Sequence, residues 1–352
     1  MENSTSEIYY KSYLALDQIL NAQHPESDKA GNPADDEMLF IIIHQTYELW
    51  FKNILHELKI VHRIFTNQQI SDNAPDMQVA VHRLKRIATI LQVLVHQIDI
   101  LETMTPLDFL DFRDLLRPAS GFQSYQFKMI EAMMGLKFAQ RHEQNYYVSH
   151  LHAEELKEVK DIETEKTLLE LVNSWLERMP FFEEDRFWIN FSSYKPENSE
   201  YHVFWSNYRR LYDASLSEAE KKNLEGFDML LLNKNFPEGR SLNAKANRSA
   251  LFIMLYRDYP LMQLPYQLIN TLLDLDELMA MWRHRHINMV QRMIGSRIGT
   301  GGSSGKDYLQ GAMNKHYIFK EFAELTSFLI ERRKLPDLSQ ELRQAMGYSF
   351  GK

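Results

Sequence analysis

The chain has 352 residues, a formal net charge of -8, 44% hydrophobic and 25% charged residues, and no cysteine. That composition excludes disulfides, thiolate nucleophiles, cysteine-held zinc, iron–sulfur ligation and a globally basic nucleic-acid field, and it leaves enough apolar sequence for a sizeable core. Any metal must therefore use His, Asp, Glu, Tyr or Met, with 13 His and 17 Met available.

Met1 to Glu7 is polar and acidic, without the basic and apolar pattern of a leader. Apolar runs such as Met38 to Ile43 are too short to span a bilayer. The expectation is a soluble, cytoplasmic protein.

In chain order, Ile8 to Gln23 is aromatic at roughly helical spacing, with Tyr9, Tyr10 and Tyr13. Residues 1–34 read as an N-terminal arm whose tyrosines need a surface to rest on, either a partner subunit or the chain's own core. Asp35-Asp36-Glu37 supplies an acidic start for a long amphipathic helix from Leu39 to Phe65. His44 lies one turn after Phe40, on or beside the buried stripe. It reads either as a hydrogen-bonded core histidine or as a pocket-facing donor or metal ligand.

Met77 to Met104 repeats the helical pattern, and Thr105-Pro106 breaks it. Pro106 to Leu116 resumes, placing Arg113 on one face with Phe109, four residues earlier. Such an arginine is either a snorkelled surface group or a bidentate carboxylate clamp. Arg117-Pro118-Ala-Ser-Gly121 predicts a sharp loop, Gln123 to Phe138 the next helix, and Glu154 to Arg178 a single charged helix. From about 180 to 240 aromatics, acids and prolines alternate, as in a helical insertion with its own helix over Ser217 to Leu232. Ala244 to Tyr256 and Gln263 to Arg297 are again helical, Lys306 to Arg332 closes the scaffold, and the tail after Pro336 is polar and short. No strand alternation or repeat is present. The fold class is therefore all-α: a helical bundle over 35–352 with an inserted helical subdomain.

The most unusual stretch is Met281 to Gly305, where Trp282-Arg-His-Arg-His286 runs into Gly299-Thr-Gly-Gly-Ser-Ser-Gly305. His284 and His286 are two residues apart, so on a helix they point about 200° apart and cannot share one metal. The glycine loop follows a helix rather than a strand, and Gly305-Lys306 leads into Asp307, so it does not match a phosphate loop. No His-Glu-x-x-His or di-iron carboxylate spacing occurs. Isolated histidines among Met-rich aromatic helices, without cysteine, fit a haem pocket with one axial histidine.

Three motifs carry a resemblance: His44-Gln-Thr-Tyr-Glu-Leu-Trp-Phe-Lys52, Pro118-Ala-Ser-Gly-Phe-Gln-Ser124 and Gly299 to Gly305, together with Trp282 to His286 and Met289-Val-Gln-Arg-Met293. In this order and spacing the chain resembles the tryptophan 2,3-dioxygenases from about Tyr10 to Leu329, most weakly between Pro180 and Gly239. The resemblance implies an all-α homotetramer binding haem b, one per subunit. It also implies insertion of both atoms of O2 across the indole C2–C3 bond of L-tryptophan, giving N-formyl-L-kynurenine, the first step of the kynurenine pathway.

By the same resemblance, His286 would be the iron ligand and His44 the distal residue meeting the indole N–H, positioning the indole rather than deprotonating it. Phe40 and Phe109 would wall the indole, Arg113 would pair with the carboxylate, and Thr300 would hold the ammonium and carboxylate end. Ser120 would lie beside the haem, and Tyr10 and Tyr13 would reach a neighbouring subunit's site. Phe109 and Phe127 stand where some members carry tyrosine, and Lys306-Asp307 replaces aromatic or histidine residues. Two other readings are a haem enzyme acting on a substituted indole and a non-catalytic haem or tryptophan sensor.

Overall fold

The structure is a computed structural model that describes residues 8–67, 75–136, 151–194, 201–295, 297 and 317–347. Among these the chain is all-α, with no β-strand, as its hydrophobic spacing predicts. The scaffold is three long helices: α4 (Asp36–Thr66), α5 (Pro75–Leu101) and, later in the chain, α13 (Pro260–Ile294). Helix α5 packs along both α13 and α4. Each is longer than the average globular helix because each buries a continuous apolar stripe. In α4 the stripe includes Ile43, Tyr47, Ile54, Leu58, Val61 and Phe65.

Short elements attach to this scaffold. Before α4 lie α1 (Tyr10–Tyr13), α2 (Leu16–Ile19) and α3 (Glu26–Lys29). After α5, α6 (Pro106–Arg113) packs on both α4 and α13, and α7 (Tyr125–Met134) lies on α4. Next come α8 (Ala153–Thr164), which packs on α7, and α9 (Leu168–Leu176), which packs on α4 and on α12 (Ala244–Leu255). Between α9 and α12 are α10 (Val203–Ser215) and α11 (Asn223–Leu232). Their Trp205, Tyr208, Tyr212 and Phe227 are fully buried and continuous with the core, and the Tyr208 and Tyr212 hydroxyls donate to the carbonyls of Phe328 and Ser327. The chain closes with α14 (Lys320–Glu324) and α15 (Gln340–Met346).

Several boundaries differ from the sequence reading, each for a local reason. Ile8 to Gln23 is two single turns, because Ala15 adopts a left-handed conformation at φ 51° between them. Glu154 to Arg178 is two helices. Thr167 restarts the chain with a capping box, its hydroxyl accepting from Glu170 N while the Glu170 carboxylate accepts from Thr167 N. The tail is not merely polar: Ser339 caps α15, and Leu342 and Met346 are buried. In the expected closing helix, residues 306–316 lie outside the described residues, and the remainder is the short α14 followed by a 3-10 turn over Leu325–Phe328.

Candidate functional site

Helices α4, α6, α7 and α13 converge on a wall of aromatic rings. On α4, Glu37, Phe40 and His44 recur at i, i+3 and i+7 and so share one stripe. Nδ1 of His44 lies 2.7 Å from the Phe40 carbonyl oxygen, which only accepts, so the neutral ring carries its proton on Nδ1 and leaves Nε2 as a bare acceptor. The Phe40 ring is 4.1 Å from the His44 ring, 5.7 Å from Phe109 and 5.6 Å from Phe112. Burial lowers the His44 pKa, against the opposing pull of the Phe40 hydrogen bond and the Glu48 carboxylate, which favours the neutral ring.

Helix α6 starts at a sharp signal. Thr105 and Asp108 form a capping box, with Pro106 at the first helical position. This fixes Phe109 and Arg113 one turn apart. Arg113 is only 4% exposed, so the surface-group reading of this residue is wrong. It sits in the last turn, where the helix dipole favours a cation. Ser120 has a structural task as well: its hydroxyl accepts from Phe122 N, and its own N–H donates to Gln123 Oε1, capping the 3-10 turn Gly121–Gln123. Ser124 then caps α7.

On α13, His286 lies one turn after Trp282, with the two rings stacked at 5.2 Å and 6° between planes. Trp282 is backed by Phe127 at 4.9 Å and meets Tyr47 edge-on at 6.1 Å. The His286 pKa falls to about 4, first through burial and then through the neighbouring His44. Its Nδ1 is buried, with no hydrogen-bond partner among the described residues. His44 and His286 are thus close enough to feel each other's charge, although 242 positions separate them in the 352-residue chain. Both rings are desolvated yet keep some accessible surface.

Neighbouring residues fix the pitch and rotation of α13. Arg283 is buried and donates to Glu131 on α7 at 2.6 Å, and Arg285 donates to Asp99 at 2.6 Å and Glu102 at 3.1 Å near the end of α5. His284 faces outward, exposed, with its Nε2 3.0 Å from Asn288 Nδ2.

Phe40, His44 and Phe109 are therefore brought to one region, with Arg113 buried one turn after Phe109 and His286 within electrostatic reach of His44. Tyr10 and Tyr13 stand 71% and 74% exposed, away from the core of their own chain. Thr300 lies outside the described residues. Two contributors were not singled out as site residues in the sequence: Trp282, whose i, i+4 spacing to His286 was a usable signal, and Glu131, which only the fold places beside Arg283.

The residues fit a haem. A neutral imidazole with its ring orientation held is what axial ligation requires, and the desolvated His286 supplies one beside an apolar aromatic wall. Among the described residues no three His, Asp or Glu side chains converge as a metal cage.

Comparison with known proteins gives one family. The model of the tryptophan 2,3-dioxygenase family matches residues 1–329. The chain is 43% identical to a tryptophan 2,3-dioxygenase of Bdellovibrio bacteriovorus, over 97% of this chain and 99% of that one. It is also 43% identical to the Dictyostelium discoideum tryptophan 2,3-dioxygenase, over 99% of this chain and 90% of that one. It is 40% identical to tryptophan 2,3-dioxygenase B of Danio rerio, over 96% and 86%.

Proposed function

The chain belongs to the tryptophan 2,3-dioxygenase family, oxidoreductases that open tryptophan degradation, and we propose on that premise that His286 holds haem b while the wall around His44 and Arg113 holds L-tryptophan. The observation that carries the proposal is the approach of His44 to His286, with both rings driven toward the neutral form by burial. In this reading one imidazole would hold the iron and the other would meet the substrate.

The chain's own groups account for binding. The indole lies against Phe40 and Phe109, whose burial of an apolar ring is favourable in proportion to the area removed from water. His44 uses its Nδ1–H on the Phe40 carbonyl and so offers Nε2 to the indole N–H. A ring with a lowered pKa is a weak base, so His44 holds the indole rather than removing its proton. Arg113 forks onto the carboxylate from a desolvated position, where a charge-assisted pair is strong. Trp282 restrains His286, and Ser120 places its hydroxyl on the turn between α6 and α7. When bound, haem supplies activation of O2, both atoms of which enter the indole C2–C3 bond to give N-formyl-L-kynurenine.

We extend the proposal to the assembly. Residues 1–34 form an arm and 35–352 the catalytic domain, with a helical insertion at 180–240. The exposed Tyr10 and Tyr13 support an arm that reaches a neighbouring site in a cytoplasmic homotetramer. Thr300 is assigned to the ammonium and carboxylate end by its motif.

The test is the absorption spectrum of purified, reduced, haem-loaded protein. His286→Ala is expected to lose the histidine-ligated spectrum and His284→Ala to keep it, with L-tryptophan perturbing the spectrum only in the latter. Equal behaviour of the two variants would overturn the assignment.

A further inference from the structure

We propose that Glu37 is a positioning residue for the substrate-carboxylate end of the site. Its carboxylate clamps residues 25–34 as a strap across the start of α4, and the strap braces the turn that follows Arg113. The inference deepens the functional reading above and rests on it for the identity of the substrate.

Glu37 is 1% exposed, although a buried carboxylate is costly unless its oxygens are satisfied. Both are: Oε1 accepts from Glu26 N at 2.8 Å and Oε2 from Ser27 N at 2.9 Å. These are first-turn amides of α3, which no helix carbonyl can satisfy. Ser27 is fully buried in turn, with its hydroxyl accepting from Ala34 N at 3.0 Å and its carbonyl from Asn32 N at 3.0 Å. The strap thus closes on itself around Ser27.

A second pin holds the chain just before the strap. Gln45 Nε2 donates to the Ala22 carbonyl at 3.0 Å, and Gln23 Nε2 donates to Gln45 Oε1 at 2.7 Å. The two pins, Glu37 and Gln45, flank Phe40 and His44 on the same helix. Helix α3 packs against the 3-10 turn Asp114–Leu116, the residues directly after Arg113. A continuous path therefore runs from the Glu37 carboxylate through the amides of residues 26 and 27 to the turn that ends the Arg113 helix. Glu37 needs no acid–base chemistry for this role; it acts through the strap.

Glu37→Gln tests the path, because a carboxamide keeps one acceptor but sets an N–H2 against the second amide. Hydrogen exchange is expected to accelerate at the Glu26 and Ser27 amides and also across residues 113–116. In the haem-loaded enzyme KM for L-tryptophan is expected to rise about tenfold with kcat within about twofold, the loss of one net hydrogen bond read at the binding step. Glu37→Asp, which keeps the charge, is expected to restore most of the affinity; if the glutamine variant does not fold, the aspartate variant carries the exchange comparison, with a smaller rise at both places. Faster exchange confined to residues 26 and 27, or an unchanged KM beside a lowered melting temperature, would mean a merely structural carboxylate and overturn the proposal. A wild-type enzyme that does not turn over tryptophan would overturn the functional reading instead, and the exchange result would still decide the clamp.

Discussion

Trp282 lies flat against His286, ring centroids 5.2 Å apart and planes 6° apart, one turn away on the same helix. Phe127, on a second helix, meets Trp282 at 4.9 Å with the ring planes 39° apart. The imidazole is thereby oriented before any ligand arrives, which lowers the entropy lost on binding. Trp282→Leu removes the stack and leaves His286 in place. Titration of the apoprotein is expected to show about tenfold weaker haem affinity, the usual scale for losing a group that orients a ligand. An unchanged affinity would mean that the stack is only core packing.

Arg113 is 4% exposed at the last turn of α6, four residues after Phe109. Removing its charge-assisted pair with a carboxylate should cost about 1.5–3 kcal/mol, so Arg113→Ala is expected to weaken tryptophan binding by about 10-fold to 150-fold. Arg113→Lys should recover part of this, because an ammonium pairs as a point charge and cannot fork. Tryptamine, which lacks the carboxylate, should lose little between wild type and variant. Calorimetric titration of both ligands checks this, and equal losses for the two would contradict a carboxylate clamp.

Asp276, on the helix that carries His286, accepts from Ile318 N at 3.0 Å and Phe319 N at 2.5 Å. Burial nevertheless raises its pKa to about 6, against the pull of these bonds and of Arg283 and Lys320. A raised pKa means that the folded state holds this proton more tightly than the unfolded chain. Its contribution is therefore fully present below the unfolded value of 3.8 and is lost as pH rises through about 6. Asp276→Asn does not titrate. Its stability relative to wild type should increase by about 2 kcal/mol between about pH 4.5 and about pH 7, read from urea unfolding of the apoprotein. A relative stability that falls over this range would mean that the two backbone bonds outweigh desolvation.

Much of this was legible in the sequence where a local rule decided the outcome. The long helices α4, α5 and α13 follow from apolar residues at threes and fours, and the α6 start follows from Thr105-Pro106 with Asp108. The opposite orientations of His284 and His286 follow from helix geometry alone. The restart at Thr167 was also legible, as a Thr followed three residues later by Glu, but the apolar stripe running across it hid the break. What depends on tertiary contact was not legible. The Glu131–Arg283 pair spans 152 positions, and the burial of Arg113 decides between clamp and surface group only once α4 and α13 lie against α6. The exposed arm points the same way: Tyr10 and Tyr13 have an aromatic pattern that one chain alone leaves uncovered.

The most direct measurement is turnover in isotopically labelled dioxygen. Purified, reduced, haem-loaded protein given L-tryptophan and labelled O2 should yield N-formyl-L-kynurenine carrying both labelled atoms, with the formyl and the side-chain aryl-ketone oxygens each derived from O2. A product with one labelled atom, or tryptophan bound but not consumed, would contradict a dioxygenase built on His286, His44 and Arg113.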